Sequence, residues 1–299
     1  MRLTDRFDWG QRSYIMGIVN VTPDSFSGDG LLAGSDWVDR AVALAGDFIA
    51  AGADILDIGG ESTRPGSRAV SAEEEAARVC PVLEALSAAY PATVLSVDTS
   101  KAAVAEVALR AGAAIINDIW ALKADPEIAG FAAASGAPVV LMHNRSRPRD
   151  IERDAKLGGR YLGAHYEHLI EDMSAEMRVL AADAVAAGVD PAQIILDPGI
   201  GFGKTVTQNL ALINHLDQFK SLGYPLLVGP SRKSFIGHVL DLGPDEREEG
   251  TAAAMAISVI RGADIVRAHD VATVVRIARM ADAILRAPAD GGDSGRGRA

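Results

Sequence analysis

Side chains that are suited to catalysis or ligand binding recur along this 299-residue chain at one kind of position, directly after a short apolar run. Any one of them could be an ordinary cap or turn residue. Their recurrence at the same place in successive units favours a single site to which many segments contribute. The polar residues that share this position are Asn20, Asp98, Asn117, Asp197, Lys233, Arg267 and His269.

Part of this set suits a flat, nitrogen-rich heterocycle. The carboxylates of Asp98 and Asp197 accept hydrogen bonds from ring N–H and amino groups, while the amide of Asn117 both donates and accepts. Lys233 adds a cationic donor. These residue types therefore indicate recognition of a heterocyclic substrate.

The rest of the set suits a phosphate group. Arg267 and His269 are two residues apart, so both side chains lie on one side of a strand and form a cationic corner. Asn20 comes from the first predicted strand, which lies next to the last strand once a barrel closes. Its amide oxygen is available to a metal ion.

The segment 14–26 carries further candidates. Its apolar run stops at Asn20. The following Thr-Pro-Asp-Ser is typical of a turn, because proline fixes φ and the Asp and Ser side chains form hydrogen bonds with the backbone. A strand that opens into a loop with the carboxylate of Asp24 and the ring of Phe26 indicates an active site. An ordinary strand followed by an ordinary turn is the alternative.

The elements that must position these residues alternate regularly. Near-continuous apolar runs, typical of buried parallel strands, alternate with helical segments that often end in glycine. This alternation predicts an α/β fold, a single-domain (β/α)8 TIM barrel over residues 1–286. A doubly wound sheet would require a glycine fingerprint after the first strand, where the sequence has none. The predicted strands cover residues 14–19, 54–58, 93–97, 114–116, 138–142, 193–196, 225–228 and 264–266.

Other segments have distinct expectations. Residues 1–13 are predicted to form a short N-terminal hairpin through Trp9-Gly10-Gln11 that covers the bottom of the barrel. The charged segment 146–159 lacks periodicity and is predicted to be a mobile loop, followed by a long helix over residues 161–187. The composition of residues 287–299 predicts a disordered tail.

Composition excludes several classes of protein. The chain has 29 Lys and Arg against 40 Asp and Glu, a net charge of −11, which argues against nucleic-acid and anionic-membrane partners. The single cysteine, Cys80, excludes an intrachain disulfide framework and a multi-cysteine zinc site. No apolar run has membrane-spanning length and no secretion signal is present, so we expect a cytoplasmic protein.

Two apparent motifs do not match the sites they suggest. G-I-G-F-G-K-T, residues 199–205, resembles a phosphate loop but has Pro198 where that loop requires glycine. His143 lacks a second histidine at ligand spacing, so we interpret it as pocket wall or core.

Several segments resemble the dihydropteroate synthases of the pterin-binding family. The resemblance covers roughly residues 7–286 and keeps the family's order of motifs. G-E-S-T-R-P-G and S-R-K-S are specific, whereas D-P-G alone would be weak. The matching segments are N-V-T-P-D-S-F (20–26), G-G-E-S-T-R-P-G (59–66), S-V-D-T (96–99), I-N-D (116–118), D-P-G-I-G-F-G-K (197–204), S-R-K-S (231–234) and R-A-H-D-V (267–271).

The resemblance implies a reaction in folate synthesis. This reaction joins 6-hydroxymethyl-7,8-dihydropterin pyrophosphate to p-aminobenzoate and releases dihydropteroate and pyrophosphate. Ionisation of the C–O bond leaves a pterin cation, which carboxylates such as Asp24 and Asp98 would stabilise. Mg²⁺ at Asn20 would stabilise the departing pyrophosphate together with Thr63, Arg267 and His269. The catalytic residues implied are Asp24, Lys233, Arg267 and His269.

The resemblance also implies a second substrate pocket. The amine substrate would bind beneath two loops, with its carboxylate near Ser234 and a helix N-terminus, and sulfonamides would occupy the same pocket. Helices of the barrel would form a homodimer. The residues implied for this pocket are Phe26, Arg64, Pro65, Phe202, Lys233 and Ser234.

One segment departs from the family's pattern. After the Met-His that ends the fifth strand, the family commonly continues with methionine or a glycine-proline pattern. Here the segment 142–150 reads M-H-N-R-S-R-P-R-D and is basic. The rim of the pterin pocket is therefore expected to differ in this chain.

Two rival functions remain open from the sequence. A methyltetrahydrofolate-dependent methyltransferase has a similar fold and pterin pocket, but methyl transfer expels no pyrophosphate and does not require the phosphate-binding motifs. A catalytically silent pterin-binding paralogue should lack Asp24, Arg64, Lys233 or His269, and all are present.

Overall fold

The computed structural model describes residues 1–22, 36–62, 67–146 and 150–289. Several predicted site residues lie outside these ranges, namely Asp24, Phe26, Thr63, Arg64 and Pro65. Most of the predicted tail, residues 290–299, also lies outside them.

The described residues form ten strands and nine α-helices. The strands are β1 (Tyr14–Asn20), β2 (Ile55–Gly59), β3 (Val94–Asp98), β4 (Ile115–Asp118), β5 (Val139–Met142), β6 (Ile151–Asp154), β7 (Gly158–Tyr161), β8 (Ile194–Asp197), β9 (Leu227–Val228) and β10 (Ile265–Ala268). The helices are α1 (Trp37–Ala51), α2 (Ala72–Ala89), α3 (Ala102–Arg110), α4 (Ile128–Ser135), α5 (Leu169–Ala186), α6 (Val206–Asn214), α7 (Ser234–Leu240), α8 (Glu248–Ile260) and α9 (Val271–Leu285).

Eight of the strands form a parallel barrel. Their order is β1-β2-β3-β4-β5-β8-β9-β10, and β10 pairs back with β1. A single parallel bridge between Leu196 and Leu226 links β8 to β9 and closes the ring. This closed order confirms the predicted (β/α)8 barrel. It arises because buried parallel strands joined by helices return to the same sheet with one handedness.

Alternation of side chains along the strands produces two hydrophobic cores. One core lies between the outward faces of the strands and the surrounding helices and includes Leu56, Val97 and Leu196. The other fills the bottom of the barrel interior and consists of Leu3, Phe7, Tyr14, Met16, Ile55, Val94, Ile115, Val140, Ile195, Leu227 and Ile265. The upper interior is left for polar side chains.

The N-terminal segment covers the bottom of the barrel, but the predicted hairpin is wrong. Residues Leu3–Asp5 form a 3-10 helix, and the segment then turns without pairing as strands. The rings of Phe7, Trp9 and Tyr14 contact one another with centroids 4.9 to 5.5 Å apart. This aromatic cluster folds the segment onto the barrel floor, so burial rather than strand pairing decides its shape.

The segment after β5 also differs from its prediction. Instead of a loop over 146–159 and a helix from 161, strands β6 and β7 form an antiparallel hairpin, and α5 begins only at Leu169. The Asp154 carboxylate accepts hydrogen bonds from the amides of Lys156 and Leu157 and closes the turn. The strands are too short for a clear alternating pattern, which is why periodicity did not reveal them.

Candidate active site

The polar side chains at the top of the barrel face its interior because of strand periodicity. In β2, Ile55 belongs to the interior core, so Asp57, two residues later, faces the same way. The same spacing places Asn117 above Ile115 and Asp197 above Ile195. Parallel register brings them together, since Asp98 lies opposite its neighbour Asn117 on the adjacent strand.

Arg267 links two carboxylates across this polar layer. Its Nε donates to Asp57 Oδ2 at 2.7 Å, and its Nη2 donates to Asp98 Oδ2 at 2.7 Å. The Arg267 side chain is 21% exposed, whereas the Asp57 side chain is fully buried. The sequence analysis assigned Arg267 to a phosphate corner, and the structure shows that its guanidinium also pairs with Asp57 and Asp98.

Asp57 is the residue of this layer that sequence reasoning missed. Besides Arg267, its Oδ2 accepts a hydrogen bond from Asn117 Nδ2 at 2.9 Å, which orients the Asn117 amide. Its Oδ1 is buried and makes no hydrogen bond to any described residue. A charged residue inside the apolar run I-L-D-I was the available signal, because an isolated buried carboxylate is costly without a partner.

Burial raises the pKa values of two carboxyl groups of this layer, Asp98 and Asp197. The pKa of Asp98 rises to about 7 because burial and the charge of Asp57 outweigh the attraction of Arg267. Burial likewise raises the pKa of Asp197 to about 6, although the Gly199 amide and Lys233 act in the opposite direction. These groups are therefore poised to exchange protons near neutral pH.

The loop after β8 is built on Asp197. Its Oδ1 accepts a hydrogen bond from the backbone amide of Gly199 at 2.7 Å. Gly199 has φ +69°, and a Cβ there would lie 2.1 Å from the carbonyl oxygen of His143. Glycine is thus required for the loop to pass the end of β5.

Lys233 and Phe202 form a cation–π pair at the mouth of the barrel. The Lys233 amine lies 4.1 Å from the centroid of the Phe202 ring. The lysine chain crosses Gly201, where an added Cβ would lie 2.8 Å from Lys233 Cδ. Ser234 follows directly as the first residue of α7.

Ser231 fixes the imidazole of His269. The Ser231 hydroxyl lies 3.1 Å from His269 Nδ1 and accepts a hydrogen bond from the His269 backbone amide at 3.4 Å. Ser231 is itself buried. The S-R-K-S segment therefore orients a side chain of the last strand as well as presenting Lys233.

Comparison with known proteins identifies the family. The model of the pterin binding enzymes matches residues 16–269. The chain is 49% identical to the dihydropteroate synthase of Bacillus subtilis (strain 168) over 275 residues, which cover 92% of this chain and 90% of the relative. The chain belongs to the dihydropteroate synthase family.

Solved structures of this family have the same fold. A Yersinia pestis dihydropteroate synthase in complex with a sulfonamide drug superposes with a TM-score of 0.83 at 41% identity and covers 93% of this chain and 95% of that one. A Xanthomonas albilineans dihydropteroate synthase with 4-aminobenzoic acid gives a TM-score of 0.81 at 41% identity, with coverage of 93% and 94%.

The dihydropteroate synthase resemblance implies Mg²⁺ at Asn20, and the residues present fit this ion. Asn20 ends β1 opposite Gly59, and a Cβ on Gly59 would lie 3.8 Å from Asn20 Oδ1 and 3.9 Å from Asp98 Cγ. Glycine thus leaves space between an amide oxygen and a carboxylate. Mg²⁺ is commonly held by few protein oxygens together with substrate phosphates and water.

Among the described residues, no group of three or more His, Cys, Asp or Glu side chains could hold a metal ion. His143, interpreted from the sequence as pocket wall or core, is buried, and its Nε2 lies 2.7 Å from Glu176. Burial lowers the pKa of His143 to about 4.

Within the described ranges, no helix has the length and apolar character to cross a membrane.

Proposed function

We propose that this dihydropteroate synthase condenses 6-hydroxymethyl-7,8-dihydropterin pyrophosphate with p-aminobenzoate, giving 7,8-dihydropteroate and pyrophosphate. The chain is a transferase of the dihydropteroate synthase family. The observation that carries the proposed chemistry is the buried Asp57–Arg267–Asp98 arrangement at the top of the barrel. It supplies fixed negative charge where a cation would form.

The pterin ring would lie on this polar layer. The carboxylates of Asp98 and Asp197 accept hydrogen bonds from ring N–H and amino groups, and Asn117 both donates and accepts. Asp57 fixes the amide of Asn117 through a hydrogen bond of 2.9 Å. Lys233 donates to acceptor atoms of the ring. The site is therefore built before the substrate arrives, which limits the entropy lost on binding.

Ionisation of the pterin C–O bond would release pyrophosphate and leave a delocalised cation. Asp98 and Asp24 stabilise this cation through their negative charge. His269, which Ser231 orients, would bind the leaving group, and the resemblance assigns Thr63 to the same task. The amide oxygen of Asn20 would hold Mg²⁺, and the bound ion would supply positive charge for the pyrophosphate. Because Arg267 already pairs with two carboxylates, its main task is to hold Asp57 and Asp98.

The amine of p-aminobenzoate then attacks the cation and forms the new C–N bond. We place its ring beside Phe202 and Lys233 and its carboxylate near Ser234, with Phe26, Arg64 and Pro65 completing the pocket. Loops that close over the cation would exclude water, which competes with the amine. A sulfonamide shares the aryl amine and would bind in the same pocket.

The synthase reaction can be tested directly. Purified protein is incubated with both substrates and Mg²⁺, and dihydropteroate and pyrophosphate are measured together. We expect equal amounts of the two products, and their loss in Lys233→Ala, in Asp24→Ala and after EDTA treatment. Pterin binding with neither product would refute the synthase and favour the silent paralogue. Transfer of a methyl group from methyltetrahydrofolate would favour the rival methyltransferase.

We also propose that the enzyme works as a cytoplasmic homodimer. Helices α6, α7 and α8 contact one another and expose large apolar side chains, which favours a partner on this face. Light scattering should give about twice the monomer mass, and Ile257→Arg should reduce it to one monomer mass. A wild-type monomer would exclude the dimer. The exposed side chains on these helices are Leu210, Val239, Leu240, Ile257 and Ile260.

A further inference from the structure

The hairpin of β6 and β7 packs against the proposed p-aminobenzoate pocket. Tyr161, the last residue of β7, stacks on Phe202 with ring centroids 6.0 Å apart and an interplanar angle of 26°. The next residue back, Arg160, lines one cleft together with Gly201, Ser234 and Phe235. Two residues of the hairpin thus meet two residues that the proposed function assigns to the amine substrate.

Backbone contacts hold the hairpin in this position. Arg247, which is buried, donates to the carbonyl oxygen of Leu157 in the hairpin turn at 2.7 Å. The same guanidinium donates to the carbonyl oxygen of Arg232, next to Lys233, at 3.0 Å. Beyond the hairpin, Ala164 donates to the carbonyl oxygen of Gly203 at 2.8 Å. The hairpin is therefore tied to the two segments that carry Phe202 and Lys233.

Arg160 presents part of its guanidinium for a further partner. Its Nε and Nη2 donate to Glu152 Oε2 at 2.9 and 2.6 Å, and the side chain is 29% exposed. Among the described residues, none accepts a hydrogen bond from its Nη1. Glu152, on the paired strand, holds the arginine in place. Burial lowers the pKa of His238 of α7, and the charge of Arg160 acts in the same direction.

We infer that Arg160 is a binding residue for the carboxylate of p-aminobenzoate, and that the hairpin forms one wall of this subsite. The inference rests on the proposed function. A carboxylate beside Ser234 would receive a charge-assisted hydrogen bond from the arginine. Tyr161 supports the aromatic ring of Phe202, against which the substrate ring would lie. The hairpin of β6 and β7 thus acquires a role in selecting an anionic amine.

The test compares substrates with and without the carboxylate. Arg160→Met should raise KM for p-aminobenzoate about tenfold, with kcat and KM for the pterin substrate unchanged. p-Aminobenzamide and sulfanilamide carry a neutral group where p-aminobenzoate has its carboxylate. We therefore expect the KM for p-aminobenzamide and the inhibition constant of sulfanilamide to change by less than about twofold. Arg160→Lys should recover part of the loss. An equal increase of KM for p-aminobenzoate and p-aminobenzamide would overturn the inference.

Two control variants separate binding from hairpin structure. Glu152→Gln removes the charge of the ion pair but keeps a side-chain oxygen that accepts from Arg160 and holds it in place, so KM for p-aminobenzoate should stay the same or fall. Arg153→Met removes an exposed arginine from the opposite face of the hairpin and should change nothing. If Glu152→Gln raises KM for p-aminobenzoate as much as Arg160→Met does, then Arg160 acts only on the fold. A wild-type enzyme that makes no dihydropteroate would instead refute the proposed function, and the inference with it.

Discussion

The amine of Lys204 lies 2.9 Å from the carbonyl oxygen of Phe202 and 3.0 Å from that of Gly199. A third carbonyl oxygen, that of His143, lies at 3.3 Å. The lysine is buried, and burial lowers its pKa to about 7. One side chain therefore fixes the loop after β8 against the end of β5, and with it the ring of Phe202.

Replacement of Lys204 by methionine should loosen this loop. We expect the free energy of unfolding in urea to fall by about 2 kcal/mol, because buried carbonyl groups lose their donor. KM for p-aminobenzoate should rise severalfold because Phe202 loses its anchor. Lys123→Met is the control, since Lys123 makes only an exposed ion pair with Asp183 and should cost less than about 1 kcal/mol. Equal stability of the two variants would contradict this role of Lys204.

Arg267→Lys should be strongly disruptive although it keeps the charge. A lysine amine is a single point and cannot reproduce the fork that bonds Asp57 through Nε and Asp98 through Nη2. We expect a loss of about 3 kcal/mol in the free energy of unfolding, because a buried carboxylate is left unpaired. Pterin affinity, measured by calorimetry, should fall in parallel. Arg276→Lys, an exposed change on α9, should leave both quantities as in the wild type.

The pH dependence of pterin binding should follow Asp98 and Asp197. Their folded pKa values, about 7 and about 6, lie above the ordinary value of 3.8. Their contribution to the stability of the unliganded fold is therefore complete below 3.8 and is lost as pH rises through these values. Pterin binding requires the ionised acceptors, so its affinity should increase over the same range.

Fluorescence titration of a pterin from about pH 5 to about pH 9 measures this dependence. The wild-type affinity should fall steeply at the acid end of the range. Asp197→Asn should bind weakly and lose the transition that belongs to the lower pKa. An affinity that does not vary with pH would show that the carboxyl groups do not accept hydrogen bonds from the ring.

Gly201→Ala tests the path of Lys233. Gly201 has φ +85°, and a Cβ there would lie 2.8 Å from Lys233 Cδ. Gly223 has a similar φ of +82°, but no heavy atom lies within 4 Å of its Cβ position. The control variant Gly223→Ala therefore measures the effect of backbone strain alone. Both variants should lose about 1 to 2 kcal/mol of stability. Only Gly201→Ala should also lower kcat/KM, by about tenfold or more. Equal kcat/KM in both variants would contradict the contact with Lys233.

Local sequence patterns determined the barrel and the position of its site. Apolar runs separated by helices specify parallel buried strands, and a period of two decides which side chains face inward. Asp98, Asn117 and Asp197 could be predicted from this alone, because each stands where an inward position meets the carboxyl end of a strand. The His269 position followed from the same rule, whereas Lys233 lies beyond the end of β9, at the N-cap of α7.

Tertiary structure decided the partners of these residues. Asp57 lies within an apolar run and becomes part of the site only because Arg267, 210 residues later, reaches it across the barrel. The hairpin of β6 and β7 depends on contacts with the loops around Phe202 and Lys233, and the N-terminal segment depends on the open floor of the barrel. Such contacts join distant parts of the chain, so no local pattern specifies them, and burial in the folded protein selects them.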